Sequence, residues 1–248
     1  MSEILNGYCP ENIFHKVKLL RFQVRNSSFE TLFPTTGMKI SKQIRNVWLF
    51  ELEMFKHIWL EDFPLGHPLL QDLEKLSVSN CPSLISLVPS STSFTKLTSL
   101  RVDKCKKMIY LITSTTAKSL VQLQTLKIMN SEMMLDVVKL DEEKLEEDII
   151  FENLEYLEFT SLSSLRSFCC GKQAFIFPSL LSFIVKECPQ MKIFSSAVTL
   201  APCLTKINVG EENMRWKGDL NTTIEQMFIE KVHNVIIYEK LFNFYSHN

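Results

Sequence analysis

Seven cysteines and five histidines are the side chains in this sequence that could ligate a metal or act as nucleophiles. Three of the cysteines, Cys81, Cys105 and Cys188, follow similar stretches of sequence. If Cys81 and Cys105 occupy equivalent positions on neighbouring strands, they lie about 4.8 Å apart, a distance that permits a disulfide. The odd number of cysteines and the opening MSEILNGYCP, which does not have the form of a secretion signal, favour small buried thiols instead.

The sequence contains none of the motifs that would predict catalysis. Neither the phosphate-binding loop G-x-x-x-x-G-K-[ST] nor the nucleophile turn G-x-S-x-G occurs. The histidines have no H-x-x-x-H or C-x-x-C partners, and the adjacent Cys169 and Cys170 fit no metal-ligand spacing. We therefore expect a protein that is not an enzyme and that binds no metal or cofactor.

The cysteines belong to an apolar pattern that recurs along the chain. In LEKLSVSNCPSLISL, residues 73–87, the apolar residues fall at offsets 0, 3, 5, 8, 11 and 14. Apolar residues at offsets 0, 3 and 5 recur in eight units, which start at residues 19, 44, 73, 97, 123, 154, 180 and 204. A period of about 20–29 residues is typical of leucine-rich repeats. The sequence therefore predicts an α/β-type solenoid, a leucine-rich-repeat horseshoe of about eight repeats with a parallel β-sheet on its concave face.

The chain divides into three predicted parts: an N-terminal lead-in (1–18), the solenoid (19–213) and a C-terminal cap with a short helix (214–248). Thr222 and Glu225 have the spacing of a capping box that opens this helix. Trp216 is expected to pack on the exposed edge of the last repeat. The predicted buried stripe of the helix consists of Ile224, Met227, Phe228, Ile229, Val232 and Val235.

Charge and hydropathy exclude two classes of partner. The net charge of −1 gives no bulk attraction to nucleic acid. No run of about 18 apolar residues predicts a membrane span. We therefore expect neither nucleic-acid binding nor insertion in a membrane.

The side chains at offsets 2, 4 and 6 alternate with the inward offsets 3 and 5, so they are expected to point out of the sheet. These outward positions hold seven basic and two acidic residues. We predict a protein-binding site on this concave face, formed by Arg21, Arg25, Trp48, Phe50, Lys75, Arg101, Asp103, Lys127, Met129, Tyr156, Glu158, Lys186 and Lys206. The alternative is an ordinary solvated strand surface. A shift of the second unit by one residue would turn Trp48 inward.

The segment SEMMLDVVKLDEEKLEEDII, residues 131–150, contains eight acidic residues and lies within the longest repeat step. We expect it to lie on the convex or edge side, because a longer loop adds little closure entropy. It is either a solvated loop or short helix, or an element that docks a basic partner.

Several stretches resemble the C-terminal repeats of plant intracellular immune receptors of the coiled-coil, nucleotide-binding, leucine-rich-repeat class. They are LEKLSVSNCPSLISL (73–87), LTSLRVDKCKKMIYL (97–111), LLSFIVKECPQMKIF (180–194) and RWKGDLNTTIEQMF (215–228). LFELEMFKHIWLED (49–62) and FENLEYLEFTSLSSLRSF (151–168) are similar to recurring phrases of those repeats. The similarity extends over about residues 14–230.

The resemblance implies a cytoplasmic protein-recognition module of plant defence. Its partner would be a pathogen effector, a guarded host protein or the receptor's own nucleotide-binding domain. This chain has neither the phosphate-binding loop nor the coiled coil of that class, so we expect a fragment or a truncated paralogue and not the nucleotide switch itself. The alternative is a leucine-rich-repeat adaptor that binds substrates for ubiquitination, but such adaptors have a helical docking box before the repeats, and only 18 residues precede Leu19.

Overall fold

The structure, a computed structural model, describes residues 19–23, 31–33, 44–59, 72–87, 93–141, 147–210 and 213–246. These residues form sixteen strands and two helices. The strands are β1 (Leu19–Gln23), β2 (Thr31–Phe33), β3 (Asn46–Phe50), β4 (His57–Trp59), β5 (Lys75–Ser79), β6 (Ser99–Asp103), β7 (Ile112–Thr113), β8 (Thr125–Met129), β9 (Val138–Lys139), β10 (Ile149–Ile150), β11 (Tyr156–Thr160), β12 (Phe175–Ile176), β13 (Ser182–Lys186), β14 (Thr199–Leu200), β15 (Ile207–Gly210) and β16 (Asn213–Arg215). The helices are α1 (Ser114–Ser119) and α2 (Leu220–Ser246).

One nine-stranded sheet runs the length of the described chain in the order β1-β3-β5-β6-β8-β11-β13-β15-β16. Its first eight strands are parallel, and β16 closes it by pairing antiparallel with β15. The predicted solenoid with a parallel sheet is confirmed. The number of repeats stays a prediction, because parts of the first units lie outside the described residues.

The register confirms the predicted units except the first. Lys75 pairs with Ser99, and Ser99 with Thr125, all at offset 2 of their units. In the first unit, however, Leu19 pairs with Asn46, which is also at offset 2, so this unit begins two residues earlier than predicted. A shift of two residues leaves each side chain on the same face, which is why the sequence pattern did not distinguish the two alignments.

The apolar pattern forms the core of the solenoid. In the unit that begins at Leu73, the side chains at offsets 0, 3, 5, 8, 11 and 14 are all buried. After each strand the chain turns, and the amide of the residue at offset 11 donates to the carbonyl at offset 8, as Leu84 does to Cys81 at 3.2 Å and Met108 to Cys105 at 3.2 Å. A short strand and a tight turn therefore place one apolar set against the next in every coil.

The opposite side of the solenoid is built from short strands. They pair as β2-β4, β7-β9 and β10-β12-β14, and all of these pairs are parallel. Of the connections between neighbouring strands of the long sheet, as far as they are described, one contains a helix, the six-residue α1. Most of the other described connections contain a tight turn and a short strand, so extended backbone replaces the helices expected of an α/β-type repeat.

A cluster of phenylalanine rings fills the core of the later coils. Phe168 is fully buried and lies at its centre. Its ring stacks on Phe194 at a centroid distance of 4.9 Å and meets Phe175 edge-on at 5.1 Å. Phe151 and Phe177 stack at 5.3 Å beside it. These rings come from different coils, so they join neighbouring repeats as well as filling each one.

Six consecutive turns hold a residue other than glycine in the left-handed backbone region. All six residues occupy offset 7, directly after the strand, and their φ values lie between 51° and 55°. They are Glu51, Asn80, Lys104, Asn130, Ser161 and Glu187. The conformation lets the offset-7 amide bond to the next strand, as Lys104 does to the Met129 carbonyl at 3.1 Å. For residues other than Gly, Asn and Asp this backbone is strained.

Replacing Lys104 with asparagine should therefore stabilise the protein. We expect the free energy of unfolding to rise by about 0.5–1 kcal/mol, because asparagine tolerates the left-handed region better than lysine. Lys107→Asn is the matched control, since Lys107 is exposed in the same turn and has no positive φ. The thermal unfolding midpoints of Lys104→Asn and Lys107→Asn are compared with that of the wild type. An equal shift in both variants would contradict an origin in the backbone conformation of residue 104.

The C-terminal helix differs from its prediction in length and start. It extends over 27 residues and begins at Leu220 instead of after Thr222. Asp219 supplies the cap, because its carboxylate accepts the Thr222 amide at 2.9 Å. These contacts lower the pKa of Asp219. The predicted boundary at residue 214 stays a prediction, and β16 spans it.

The buried stripe of α2 is narrower than predicted. Ile224 is buried and Met227 and Phe228 are partly buried, but Ile229 and Val232 are exposed. Among the helix residues whose side chains are described, those that pack against the core lie in the first turns. The Val235 side chain lies outside the described residues, and Trp216 packs against the core as expected.

The acidic stretch 131–150 is not one insertion. Its first part forms the turn of a regular repeat followed by β9, and its last part forms β10, while residues 142–146 lie outside the described residues. Asp141 accepts hydrogen bonds from the Thr115 amide at 2.8 Å and the Ser114 hydroxyl at 3.0 Å, so it binds the first turn of α1, whose N-cap is Thr113. Lys118 forms an ion pair with Glu147 at 2.8 Å. Part of this acidic charge is therefore used within the fold.

Candidate protein-recognition surface

The sheet face consists of the outward side chains of the strands β1, β3, β5, β6, β8, β11, β13 and β15. Inward neighbours such as Val47 and Leu49 are buried, whereas Trp48 between them is 44% exposed. Trp48 therefore points outward, and the alternative register that would turn it inward is wrong. Arg21, Lys75 and Arg101 are exposed on the same face. Arg25 lies outside the described residues.

The first strands of the face carry an aromatic–basic cluster, which we define as Arg21, Trp48, Phe50, Lys75 and Arg101. The Arg21 guanidinium lies over the Phe50 ring, 4.6 Å from its centroid. Arg21 and Trp48 are paired across neighbouring strands. Lys75 forms no ion pair with any described residue. The cluster thus combines an exposed indole with cations that are available to a partner.

Small polar side chains separate the two halves of this cluster. Ser77 pairs with Trp48 on one side and with Arg101 on the other, and Ser79 pairs with Phe50. The short side chain of Ser77 is partly exposed between the Trp48 indole and the Arg101 guanidinium. This arrangement follows from the cross-strand register, which the sequence alone predicts only once the units are aligned.

The middle of the face holds a second group, the Lys127–Tyr156–Glu158 cluster. The Lys127 ammonium lies 3.3 Å from the Glu158 carboxylate and 4.4 Å from the centroid of the Tyr156 ring. The Tyr156 hydroxyl donates to the same carboxylate at 2.8 Å. Burial, and then the hydrogen bond to Glu158, raise the pKa of Tyr156 to about 12. Lys127 and Glu158 therefore neutralise each other and are held in place.

Titration of Tyr156 should show this coupling. Because an unperturbed tyrosine titrates near pH 10, the folded protein keeps the Tyr156 proton where the unfolded chain has lost it, so stability falls as pH rises from about 10 to about 12. Glu158→Gln should lower the Tyr156 midpoint, and the exposed Glu155→Gln should leave it unchanged. The phenolate absorbance lost in Tyr156→Phe identifies this one residue. Equal midpoints in both glutamine variants would contradict the coupling.

Asp103 forms the third group on the face. Its carboxylate accepts from the Asn130 amide group at 2.8 Å and from the Ser79 hydroxyl at 3.4 Å. Arg101 lies 3.9 Å away, at the limit of an ion pair. The acidic charge of Asp103 is thus satisfied by neighbours, and Arg101 remains 46% exposed at its side chain.

The remaining predicted residues lie farther along the sheet. Met129 and Lys186 are partly exposed at the ends of their strands, and Lys206 is exposed one residue before β15. Neither lysine forms an ion pair with a described residue. The structure therefore does not bring all the predicted residues into one site: it separates the aromatic–basic cluster from the Lys127–Tyr156–Glu158 cluster and from these two lysines.

The recurring cysteines are buried in the turns, as predicted. The Cys81, Cys105 and Cys188 thiols each lie within 3.3–3.7 Å of the carbonyl two residues earlier. Ser131 occupies the same position in its own turn and donates to the Met129 carbonyl at 3.1 Å. Burial raises the pKa of Cys188 to about 11. The contact with Cys81, followed by burial, raises the pKa of Cys105. These thiols are free and serve the turn, and neither thiol with a raised pKa is an activated nucleophile.

Sequence reasoning missed apolar residues that are exposed outside the sheet face. Ile85 and Ile109 are 39% and 43% exposed at offset 12 of their turns. Val198 and Leu200 are 62% and 51% exposed on the opposite side of the solenoid. The apolar pattern at offsets 0, 3, 5, 8, 11 and 14 does not include these positions, so it carries no signal for their exposure.

The stacked coils, the parallel sheet and the buried offsets define a leucine-rich-repeat solenoid. Residues 88–210 match the family model described as plant disease resistance protein RPS2-like, leucine-rich repeats. Over this stretch the chain is similar to the leucine-rich repeats of that family. No curated protein and no solved structure gave a significant match. Among the described helices, none has the combination of length and hydropathy that crossing a bilayer requires.

Proposed function

We propose that this chain is the ligand-recognition module of a plant resistance protein and that its sheet face binds a pathogen effector or a guarded host protein. The main support for this proposal is the aromatic–basic cluster. In this cluster the exposed Trp48 pairs with Arg21 on one side, and Ser77 separates it from Arg101 on the other. Tryptophan, tyrosine and arginine supply most of the binding energy of protein interfaces. The family match to residues 88–210 supports the role in resistance.

Within the sheet face, we propose that the ligand contacts the aromatic–basic cluster first. Lys127 and Glu158 are already paired, so a ligand gains little charge interaction from them. Lys75 and Arg21, in contrast, have no carboxylate partner among the described residues. An acidic ligand surface with an apolar centre would complement this end of the sheet. We propose the receptor's own nucleotide-binding domain as a further ligand and the cytoplasm as the place of recognition, as the resemblance implies.

The proposal is tested by affinity purification from infected and uninfected plant tissue. Wild-type chain is compared with Trp48→Ala and with the combined charge reversal of Arg21, Lys75, Arg101 and Lys127 to glutamate. We expect a pathogen-dependent partner whose affinity falls about 30-fold or more with Trp48→Ala, the size of a central aromatic anchor. Ile229→Ala is the matched control, because Ile229 is 56% exposed but lies on α2.

Two results would contradict the proposal. Retention of every partner by both sheet-face variants would remove the face from recognition. Recovery of ubiquitin-ligase subunits in place of pathogen or guarded proteins would favour the adaptor function instead.

A further inference from the structure

The three-stranded back sheet, β10-β12-β14, has an inner face that belongs to the core. Ile149 and Phe151 of the first segment and Phe175 and Phe177 of the second are fully buried. Because successive residues of an extended segment point to opposite faces, the residues between and beside them point away from the core. This outer face is distinct from the sheet face, since it lies across the solenoid.

The outer face of the back sheet is apolar over two of its three strands. Leu200 on β14 is 51% exposed, and Val198, one residue before this strand, is 62% exposed. Pro202, two residues after Leu200, is also exposed. Ile176 and Pro178 are partly exposed on the neighbouring strand. Leu200 pairs with Ile176, so the apolar side chains are adjacent across the strands. Exposed apolar patches of this kind mark interaction sites.

The third strand adds negative charge to this face. Ile150 pairs with Ile176 and is 39% exposed, and the exposed Asp148 and Glu152 flank it two residues away on each side. Neither carboxylate forms an ion pair with a described residue. The nearby cation Lys118 is already paired with Glu147 at 2.8 Å. Among the described residues, this strand therefore presents negative charge to the outer face.

The start of α2 borders this sheet beside β14. At one edge the Asn221 side chain of α2 donates to the Ala197 carbonyl at 3.2 Å and accepts the Ser195 amide at 3.0 Å. Beside this edge a groove of about 350 Å³ is lined by Leu200, Trp216 and other residues of β14 and the start of α2. The groove offers a place for one large apolar side chain of a partner.

We propose that the outer face of the back sheet is a second docking surface, which binds a protein helix that carries apolar side chains flanked by lysine or arginine. Apolar sheet faces are normally buried under another layer, and helices are one of the elements that cover them. The two carboxylates beside Ile150 select a basic partner over an acidic one. The surface does not depend on the sheet face, so both sites can be occupied together.

Two synthetic amphipathic helices with the same leucine pattern test this docking surface. One carries lysine at its polar positions and the other glutamate. Fluorescence anisotropy should show that the lysine helix binds the whole chain at least about tenfold more tightly, with an advantage that shrinks as salt is added. Equal binding of the two helices would overturn the proposal.

Variants separate this surface from the rest of the protein. Leu200→Asp should weaken binding of the lysine helix about tenfold or more. Ile85→Asp, at an exposed site on another side, is the matched control and should bind like wild type, as should Trp48→Ala on the sheet face. The double variant Asp148→Asn with Glu152→Gln should reduce the preference for lysine. Circular dichroism confirms that each variant is folded.

Other outcomes would overturn the proposal. Wild-type binding by Leu200→Asp would show that the back sheet is an ordinary exposed surface. Equal weakening by Ile85→Asp would show that the helix binds without a defined site. Self-association in analytical ultracentrifugation that Leu200→Asp abolishes would identify a second copy of this chain as the occupant.

Discussion

Phe168→Ala should lower the free energy of unfolding by about 3–5 kcal/mol, the range for removing a buried aromatic ring. Phe168 is fully buried and its ring contacts rings from several coils, with centroid distances from 4.9 Å to 6.3 Å. Its backbone also joins coils, because its amide donates to the Phe194 carbonyl at 2.6 Å and its carbonyl accepts the Val138 amide at 2.8 Å. Loss of the ring leaves a cavity that rigid neighbours cannot fill.

Urea denaturation followed by circular dichroism measures this loss as a shift in midpoint. Leu181→Ala is the control, because Leu181 is 63% exposed and its truncation should change stability by less than about 0.5 kcal/mol. Phe168→Leu, which keeps part of the volume, should fall between them. A solenoid can unfold in stages, so a broadened transition that affects the later coils first would agree with the location of Phe168. A midpoint equal to that of Leu181→Ala would contradict the central role of the ring.

The sequence predicted the fold because its determining signal is local and repeated. Each unit contains Leu-x-x-Leu-x-Val or a close variant, and the strand it predicts is found at the expected offsets from the unit at Ile44 to the unit at Leu180. A chance match to the pattern could mislead the prediction of a single strand, but it has little weight when the same pattern recurs in eight units. Where the pattern allowed two alignments on the same face, at Leu19, the prediction was two residues wrong.

Features without an apolar period were not predictable in this way. The left-handed residues at offset 7 have no common side-chain type, since Glu51, Lys104 and Ser161 share one backbone conformation with two asparagines and another glutamate. The neighbouring strands impose this conformation through the offset-7 amide. The start of α2 was also missed, because a capping box at Thr222 competes with the aspartate cap three residues earlier.

The sheet face was predictable residue by residue but not as a set of clusters. Alternation gave the outward direction of Trp48, Lys75 and Lys127. It could not show that Lys127 pairs with Glu158, because that contact depends on side-chain conformations across two coils 31 residues apart. Only the structure therefore shows which cations of the face lack a carboxylate partner, and this property distinguishes one end of the face from its middle.

The alternation itself predicts the other large effect, at two adjacent residues of β5. Val78→Asp should lower the free energy of unfolding by about 3–5 kcal/mol or unfold the chain, because Val78 is fully buried in the hydrophobic core and the introduced carboxylate is desolvated there. Ser77→Asp should be neutral within about 0.5 kcal/mol, because Ser77 points outward and pairs with Arg101 on the next strand.

The pH dependence separates a buried charge from a mere loss of packing. In the folded state burial raises the pKa of the carboxylate introduced at position 78, so its destabilising effect grows as pH rises from the unfolded pKa of about 3.9 to the raised folded pKa and decreases as pH falls. The difference in urea midpoint between Val78→Asp and wild type should therefore be smaller at low pH than at neutral pH. Val78→Asn, which cannot ionise, should show no such change. Equal stability of Val78→Asp and Ser77→Asp would mean that β5 does not alternate as described. It would also remove the support for an outward Trp48, because Trp48 pairs with Ser77 on the neighbouring strand.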